Sequence, residues 1–485
     1  MSEKIEELRQ VRIQKLKQLR AQGIDPYPVD SNATHAIGEA LAAFDELSQT
    51  NNEVILDGRI RALRTHGKLA FFDLEDETGR IQLLLREEAL GEAYKLIDLL
   101  DMGDFVEGTG TLALSKTGQK SLIVTGLRVL SKSIRPIPTE HFGIEDLETR
   151  LRKRYLDLLL NPETKELFRK KAVFWQTIRN FMIKQGFLEV WNPVLENTPG
   201  GADAEPFITH HNALDRDYFM RISLELPLKR LLVGGYEKVF EIGRLFRNEG
   251  IDRDHLQEYD DMEFYWAYSD YKKGMAFVEK LYKLVVKNVA GKMETEYETH
   301  KIDWSQKWPR LDYFKLFKDN TGLDLNKVTD EKLLEYATKE LHLKVEPGTG
   351  RGRLIDQIYK KTVRPKLIQP CFLVGHPLET SPLAKKDPKN PKKILRFQPI
   401  AAGSELGNGF SELNDPIDQN TRFDEQMKMK DAGDKEAHMK DSDYVEALEY
   451  GMPPAVGFGV SERLFALLMN RSIRETVTFP SMKEE

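Results

Sequence analysis

Residues 238–250 read Lys-Val-Phe-Glu-Ile-Gly-Arg-Leu-Phe-Arg-Asn-Glu-Gly, and residues 258–268 read Glu-Tyr-Asp-Asp-Met-Glu-Phe-Tyr-Trp-Ala-Tyr. Two strands joined by a polar loop are expected. Side chains alternate across a strand, so Met262, Phe264 and Trp266 fall on one face and Tyr259, Asp261, Glu263 and Tyr265 on the other. One face can pack while the other binds. On the first strand the same rule places Glu241 with Arg247, so a guanidinium and several carboxylates converge on one open sheet surface. Such a surface suits a zwitterionic or cationic ligand together with a phosphate.

Outward from this pair, helical patterns around 150–186 give way to strand-like segments at 187–195, 217–224, 236–247 and 258–267. The stretch 270–365 is richer in helical spacing, and reads as an insertion with an outer helical layer. A final strand pair and helix are expected over 396–480. Strands and helices without a regular β-α-β rhythm predict an antiparallel α+β core over 150–485. Before it, Ile55–Leu63, Leu69–Leu74, Ile81–Leu85, Phe105–Leu112 and Ser121–Leu130 alternate as short strands. Gly67, Asp76-Glu77-Thr78-Gly79 and Lys116-Thr117-Gly118 supply the turns. Five strands within 51–132 suggest a five-stranded barrel of the OB type, a frequent binder of unpaired nucleotides. Residues 1–50 form an N-terminal helical extension, with Ile5, Leu8, Ile13, Leu16 and Leu19 spaced among Arg9, Arg12, Lys15, Lys17 and Arg20. That helix is equally suited to touching RNA and to being a solvated surface. Pro136 and Pro138 stiffen a linker over 133–149.

The length of 485 residues calls for two or more domains. A net charge of −6, from 72 basic and 78 acidic residues, does not mark a general phosphate binder, although local patches decide that matter. A single cysteine, Cys371, excludes an intrachain disulfide framework and reads as a small buried apolar residue. The first residues, Met-Ser-Glu-Lys-Ile-Glu-Glu, lack the apolar segment of a secretory signal, and no run of about 18 apolar residues occurs. A cytoplasmic protein with no membrane insertion is expected.

Phe246-Arg247-Asn248-Glu249, a loop holding His255, and then Glu258 and Glu263 resemble the second signature motif of the class II aminoacyl-tRNA synthetases. Gly457-Phe458-Gly459-Val460-Ser461-Glu462-Arg463-Leu464 resembles their third motif, and Gly186-Phe187-Leu188-Glu189-Val190 with Pro193 the first. Pro199-Gly200-Gly201-Ala202, Ser381-Pro382-Leu383-Ala384-Lys385 and the stretch Ser404–Pro416 are similar to lysyl-tRNA synthetases in particular. The resemblance spans about residue 50 to the end, and implies ATP-dependent attachment of L-lysine to tRNA(Lys) through a lysyl-adenylate. The barrel then becomes an anticodon-binding domain.

The resemblance assigns Arg247 to bridging carboxylate and α-phosphate and Arg463 to the γ-phosphate side. Glu249 and His255 hold the bent nucleotide, and Tyr259 stacks on adenine where phenylalanine is usual. It places Glu412 and Tyr265 on the side-chain amine of lysine, and Gly201 and Glu225 near its α-amine. Strand alternation independently puts Asn408, Phe410 and Glu412 on one face, with Gly407, Gly409 and Ser411 opposite. With Glu225 and Glu263 this makes an acidic, partly aromatic pocket, and a desolvated carboxylate there needs a cation. In the barrel, Arg59, Phe71 and Gln82 match positions that contact anticodon bases, although Phe71 fits a barrel core as well.

Four departures from the family stand out. Gln398 replaces a glutamate that joins Glu405 in holding Mg2+, so the expected metal ligands are Glu405 and an amide. The third motif is one residue short before Glu462-Arg463. Gly126 replaces an acidic residue, and the loop reads His255-Leu256-Gln257-Glu258. A homodimer is expected, because the first motif usually forms a subunit interface. The alternatives are a lysine ligase acting on a protein, an aspartyl- or asparaginyl-tRNA synthetase, and a non-enzymatic RNA-binding derivative.

Overall fold

The computed structural model describes residues 3–138, 146–250, 256–346, 349–431 and 439–483, so His255 lies outside the described residues. The chain divides into two compact units, Met1–Glu145 and Asp146–Glu485. Among the described residues no helix is long and apolar enough to cross a membrane.

In the first unit, helix α1 (Glu3–Ala21) precedes strands β1 (Val54–His66), β2 (Leu69–Glu75), β3 (Arg80–Arg86), β4 (Phe105–Leu114) and β5 (Lys120–Ser131). Every strand has two neighbours, and the sheet closes in the order β1-β2-β3-β5-β4. Period-two alternation drives closure: Leu56 and Ile60, Phe72 and Leu74, and Leu83 and Leu85 all point into one core. Gly110 sits at a register shift between β4 and β5, where a Cβ would run into the Ile123 carbonyl. The basic face of α1 is partly spent on packing. Arg12 donates to the Met102 and Arg135 carbonyls at 3.1 Å each, and Lys15 meets Asp101 at 2.9 Å. Lys132 is buried between Asp101 and Asp104, at 2.6 and 2.7 Å.

The second unit is built on a nine-stranded sheet. Its strands are β6 (Leu188–Glu189), β7 (Lys238–Phe246), β8 (Glu258–Ala267), β9 (Arg310–Asp312), β10 (Cys371–Val374), β11 (Arg396–Ala401), β12 (Ser404–Glu405), β13 (Asn408–Ser411) and β14 (Ala455–Ser461). The order is β9-β10-β11-β13-β14-β8-β7-β6, with β12 paired to β11. All pairings are antiparallel except the outermost, β6 with β7 and β9 with β10. One face of this sheet is covered by α2 (Pro162–Lys184) and α4 (Tyr271–Ala290), whose apolar stripes meet Met262, Phe264, Phe397 and Phe458. Phe397 and Phe458 stack at 5.6 Å with planes 8° apart. The close approach beneath them requires glycine, since a Cβ at Gly409 would lie 2.6 Å from the Phe397 ring. Cys371 is buried, and burial pushes its thiol up to about 12.

Two expectations need correction. The stretch 270–365 is not wholly peripheral: α4 is part of the main core, and β9 is an edge strand of the main sheet. The segment 217–224 is strand only over Arg216–Met220, and helix α3 (Glu225–Val233) begins directly after it.

Asp157 is fully buried before α2 and accepts from Arg150 at 2.8 Å, Arg154 at 2.6 Å and Asn161 at 2.6 Å. Burial alone would raise its carboxyl, but these donors hold it below the usual range. Removing one partner of a buried ion pair leaves the others uncompensated, so Asp157→Asn is expected to cost about 3–5 kcal/mol in denaturant unfolding. A depressed folded pKa makes this contribution complete above the unfolded value of about 4, and lost as pH falls through the folded value. The gap between wild type and variant should therefore close in acid.

Candidate active site

A cavity of about 370 Å³ opens on the sheet face opposite α4. Strand β8 organises it, because Tyr259, Asp261, Glu263 and Tyr265 all line it while Met262 and Phe264 are buried behind. Alternate residues on a strand lie about 7 Å apart, so this row carries the wall from one chemistry to another.

At the Tyr259 end stand Arg247, Glu249 and Asp261. The Arg247 guanidinium lies 5.5 Å from the centre of the Tyr259 ring, and its Nε donates to the Ile222 carbonyl at 3.3 Å. Burial opposes its charge, but Tyr259, Glu249, Asp261 and Glu263 more than offset that, and the guanidinium stays charged. Burial, with the neighbouring Glu263, pushes Asp261 well above the ordinary carboxylate range. Arg463 also lines the cavity, on the first residue of α5 (Arg463–Leu468). Its junction with β14 is pinned by Glu462, which accepts from the Asp260 amide at 2.9 Å and pairs with Lys171 at 2.6 Å.

The Tyr265 end is acidic. Glu263 accepts from Ser223 Oγ, the Leu224 amide and the Tyr265 hydroxyl, each at 2.8 Å. Glu225 begins α3 and lines the same end with Gly201, whose φ is 88°. A Cβ at Gly201 would press within 3 Å of Ser223 and Glu225. Asn408 and Phe410 line the cavity from β13. Glu412 lies just past that strand and behind Gly457, with 1% of its surface exposed. One of its oxygens is ion-paired with Lys229, while Oε1 lies where a Cβ at 457 would fall. Burial pushes the Glu263 and Glu412 carboxyls up, against the donors just named.

Residues 146–483 match the family described as tRNA synthetases class II (D, K and N), and residues 54–130 match the OB-fold nucleic acid binding domain. Relatives named lysine–tRNA ligase are similar over nearly the whole chain. That of Roseiflexus castenholzii is 46% identical over 484 residues, covering 99% of both chains. That of Moorella thermoacetica is 45% identical, covering 98% of both, and that of Bacillus subtilis 42%, covering 99% of this chain and 98% of its own. The chain belongs to the class II tRNA synthetases.

Within this synthetase the cavity gathers Gly201, Glu225, Arg247, Glu249, Tyr259, Glu263, Tyr265, Gln398, Glu405, Asn408, Phe410 and Arg463 from distant parts of the sequence. Glu412 is one layer beneath. Glu241, expected beside Arg247, is instead occupied by Arg221 at 2.6 Å and by the Asn192 side chain at 2.7 Å, and does not line the cavity. Sequence reading missed Lys229, although its i,i+4 spacing from Glu225 was a signal. It also missed Arg396, which reaches across the sheet to Asn408 at 2.7 Å and Ser381 at 2.9 Å.

In the barrel, Arg59 lies 4.2 Å over the Phe105 ring, and Gln82 Oε1 accepts from Ser121 Oγ at 3.2 Å. Phe71 alternates with buried Ala70 and Phe72 and is only half-buried, outside the barrel core.

A magnesium site of two carboxylates does not fit the residues present. Burial holds His376 well below its ordinary pKa, so it carries one ring proton. Its Nε2 is 2.9 Å from Gln398 Oε1, and the amide Nε2 of Gln398 faces Glu405 at 3.4 Å. Arg364 also approaches Glu405, at 3.5 Å. Among the described residues no group of three or more His, Cys, Asp or Glu could hold a metal. Gln398→Glu supplies the missing carboxylate and is expected to tighten Mn2+ in the nucleotide complex about tenfold, read by electron paramagnetic resonance titration. Equal affinity in the two proteins would show that the amide already serves as a ligand.

Gly457→Ala drives a methyl into Glu412 and the Tyr265 ring. Amino-acid binding, followed by calorimetry, is expected to fall by at least about tenfold while nucleotide binding holds.

Proposed function

We propose that the chain joins L-lysine to tRNA(Lys) in two steps. A lysine carboxylate oxygen attacks the α-phosphorus of ATP, the bond to the bridging oxygen breaks, and diphosphate leaves. The terminal ribose hydroxyl of the tRNA then attacks the carbonyl carbon of the lysyl-adenylate, loses its proton, and expels AMP. The observation that carries this reading is the acidic end of the cavity. Glu225, Glu263 and Glu412 supply three carboxyl groups and Lys229 one ammonium, so the pocket has two more acidic groups than protein cations and suits a substrate with two ammonium groups. An aspartate substrate would need a free cation there, and an asparagine substrate would leave the carboxylates unpaired.

Neither step requires a side-chain nucleophile. Two anions must be brought in line, and positioning with charge neutralisation supplies most of the rate. Arg247 bridges carboxylate and α-phosphate with its planar fork. Arg463 takes the outer phosphates, and Glu249 and Tyr259 hold the nucleotide. His255 is assigned to ATP by its motif position. Glu263, Gly201 and Glu225 surround the α-amine, while Tyr265, Phe410, Asn408 and Glu412 surround the side chain. Glu405 is the carboxylate that would meet a Mg2+ carried in on the phosphates of ATP, where the ion would supply charge neutralisation. Arg59, Phe71 and Gln82 read the anticodon, where stacking contributes about 1–3 kcal/mol per base. A homodimer is supported by apolar side chains exposed around the first motif, among them Ile183, Leu188, Trp191 and Leu195, with Trp191 77% exposed. The location is cytoplasmic.

ATP–pyrophosphate exchange tests the reading. Lysine alone among lysine, aspartate and asparagine is expected to stimulate it, and charging of tRNA(Lys) separates the synthetase from a ligase that modifies a protein. Arg247→Lys keeps a charge but loses the fork, and exchange is expected to drop about 10²–10³-fold in kcat. Retained kcat would remove Arg247 from its role.

A further inference from the structure

Lys229 has no exposed surface, yet a lysine is almost never fully buried without compensation. Its ammonium is ion-paired with Glu225, four residues earlier on α3, and with Glu412, 183 residues later. Three aromatic rings close around it, with Phe410 at 5.3 Å and Tyr265 and Tyr444 at 5.9 Å from the ammonium. The charged groups acting on Glu412 are Lys229, Glu225 and Glu263. Lys229 itself does not line the cavity, but two of its rings, Phe410 and Tyr265, and one of its carboxylates, Glu225, do. Glu412 is shared: one oxygen goes to Lys229, and Oε1 is buried, has no hydrogen-bond partner among the described residues, and lies against cavity-lining Gly457.

We infer that Lys229 is a specificity-determining residue, an internal ammonium that cancels one of three pocket carboxylates and holds Glu412 so that its second oxygen can take a substrate ammonium. This rests on the lysine reading and deepens it. With Lys229 in place the pocket holds two carboxyl groups that no protein cation pairs, and an amino acid with one ammonium leaves one of these buried groups unpaired. Rejection of neutral side chains then comes from a desolvated charge and not from shape. Without Lys229 a proton is the readiest replacement, and a protonated Glu412 no longer penalises an uncharged side chain. Lys229 acts through Glu412 and is a positioning residue.

The test compares lysine with norleucine, which has the same chain and no side-chain ammonium, in ATP–pyrophosphate exchange by wild type and Lys229→Met. The ratio of kcat/KM for lysine over norleucine is expected to fall at least about tenfold in the variant. Most of that loss should sit in the KM for lysine, with the KM for ATP unchanged within about twofold. A common fall for both amino acids, or an unchanged ratio, overturns the inference. Should the variant not fold, calorimetry of lysine binding to the wild type with a non-hydrolysable ATP analogue, in two buffers of different ionisation enthalpy, decides. Almost no proton release is expected near neutral pH, while release of about one proton per lysine would show a pocket neutralised by protons and overturn the role of Lys229. Wild-type exchange that ignores lysine would instead overturn the lysine reading itself.

Discussion

A carboxylate taken out of water must find donors or a cation, and this constraint shapes the catalytic unit. Glu225, Glu263 and Glu412 are all at least nine-tenths buried around one end of a single cavity. Each ionised group costs several kcal/mol to desolvate unless it is paired. Glu263 meets the cost with three neutral donors from two segments, and Glu412 with the ammonium of Lys229. Such a cluster is stable only on a frame that cannot relax. The frame here is the antiparallel sheet whose other face is locked by the Phe397–Phe458 stack and by α4. Glycines at 407, 409 and 457 let strands and rings approach closely enough to hold it.

The same principle recurs wherever the site must be fixed in space. Glu241 would be a further acidic group beside the cavity, but Arg221 and Asn192 consume it. Glu462 ties β14 to β8 through the Asp260 amide and to α2 through Lys171, so the strand-to-helix junction carrying Arg463 is held from two sides. A third motif one residue short therefore still delivers Arg463 to the cavity. Partnered charges outside the cavity position the charges within it.

Much of this was legible in the sequence, because alternation is a local property. The split of β8 into Met262 and Phe264 behind and Tyr259, Asp261, Glu263 and Tyr265 in front follows from period two alone. The barrel strands follow from the same rule with turn residues between them. What alternation cannot supply is the partner from a remote segment. Glu241 was placed on the correct face, yet its arginine lies 20 residues away across the sheet. Lys229 reads as an ordinary basic residue of a short amphipathic helix, and only the tertiary fold brings Phe410, Tyr265 and Tyr444 around it. The stretch 270–365 misled for a related reason. Its helical spacing is real, but whether a helix covers the core or decorates it depends on what it packs against.

A cavity graded from guanidinium to carboxylate does more than bind two ligands. A zwitterion with a second ammonium at the end of its side chain holds that ammonium far from its carboxylate, so the difference between the two ends of β8 fixes its direction before any contact is optimised. In the proposed reaction Arg247 at one end draws the carboxylate toward the place where a phosphate is also drawn, and the acidic end holds the side-chain ammonium away from it. Orientation thus arises from which groups meet the two ends of one strand, Arg247 at Tyr259 and Glu225 with Glu412 at Tyr265, and the entropy of alignment is met by the sheet when it folds. A reaction between two anions needs that alignment more than it needs a nucleophile, which is why the chemistry can rest on buried, mutually restrained charges.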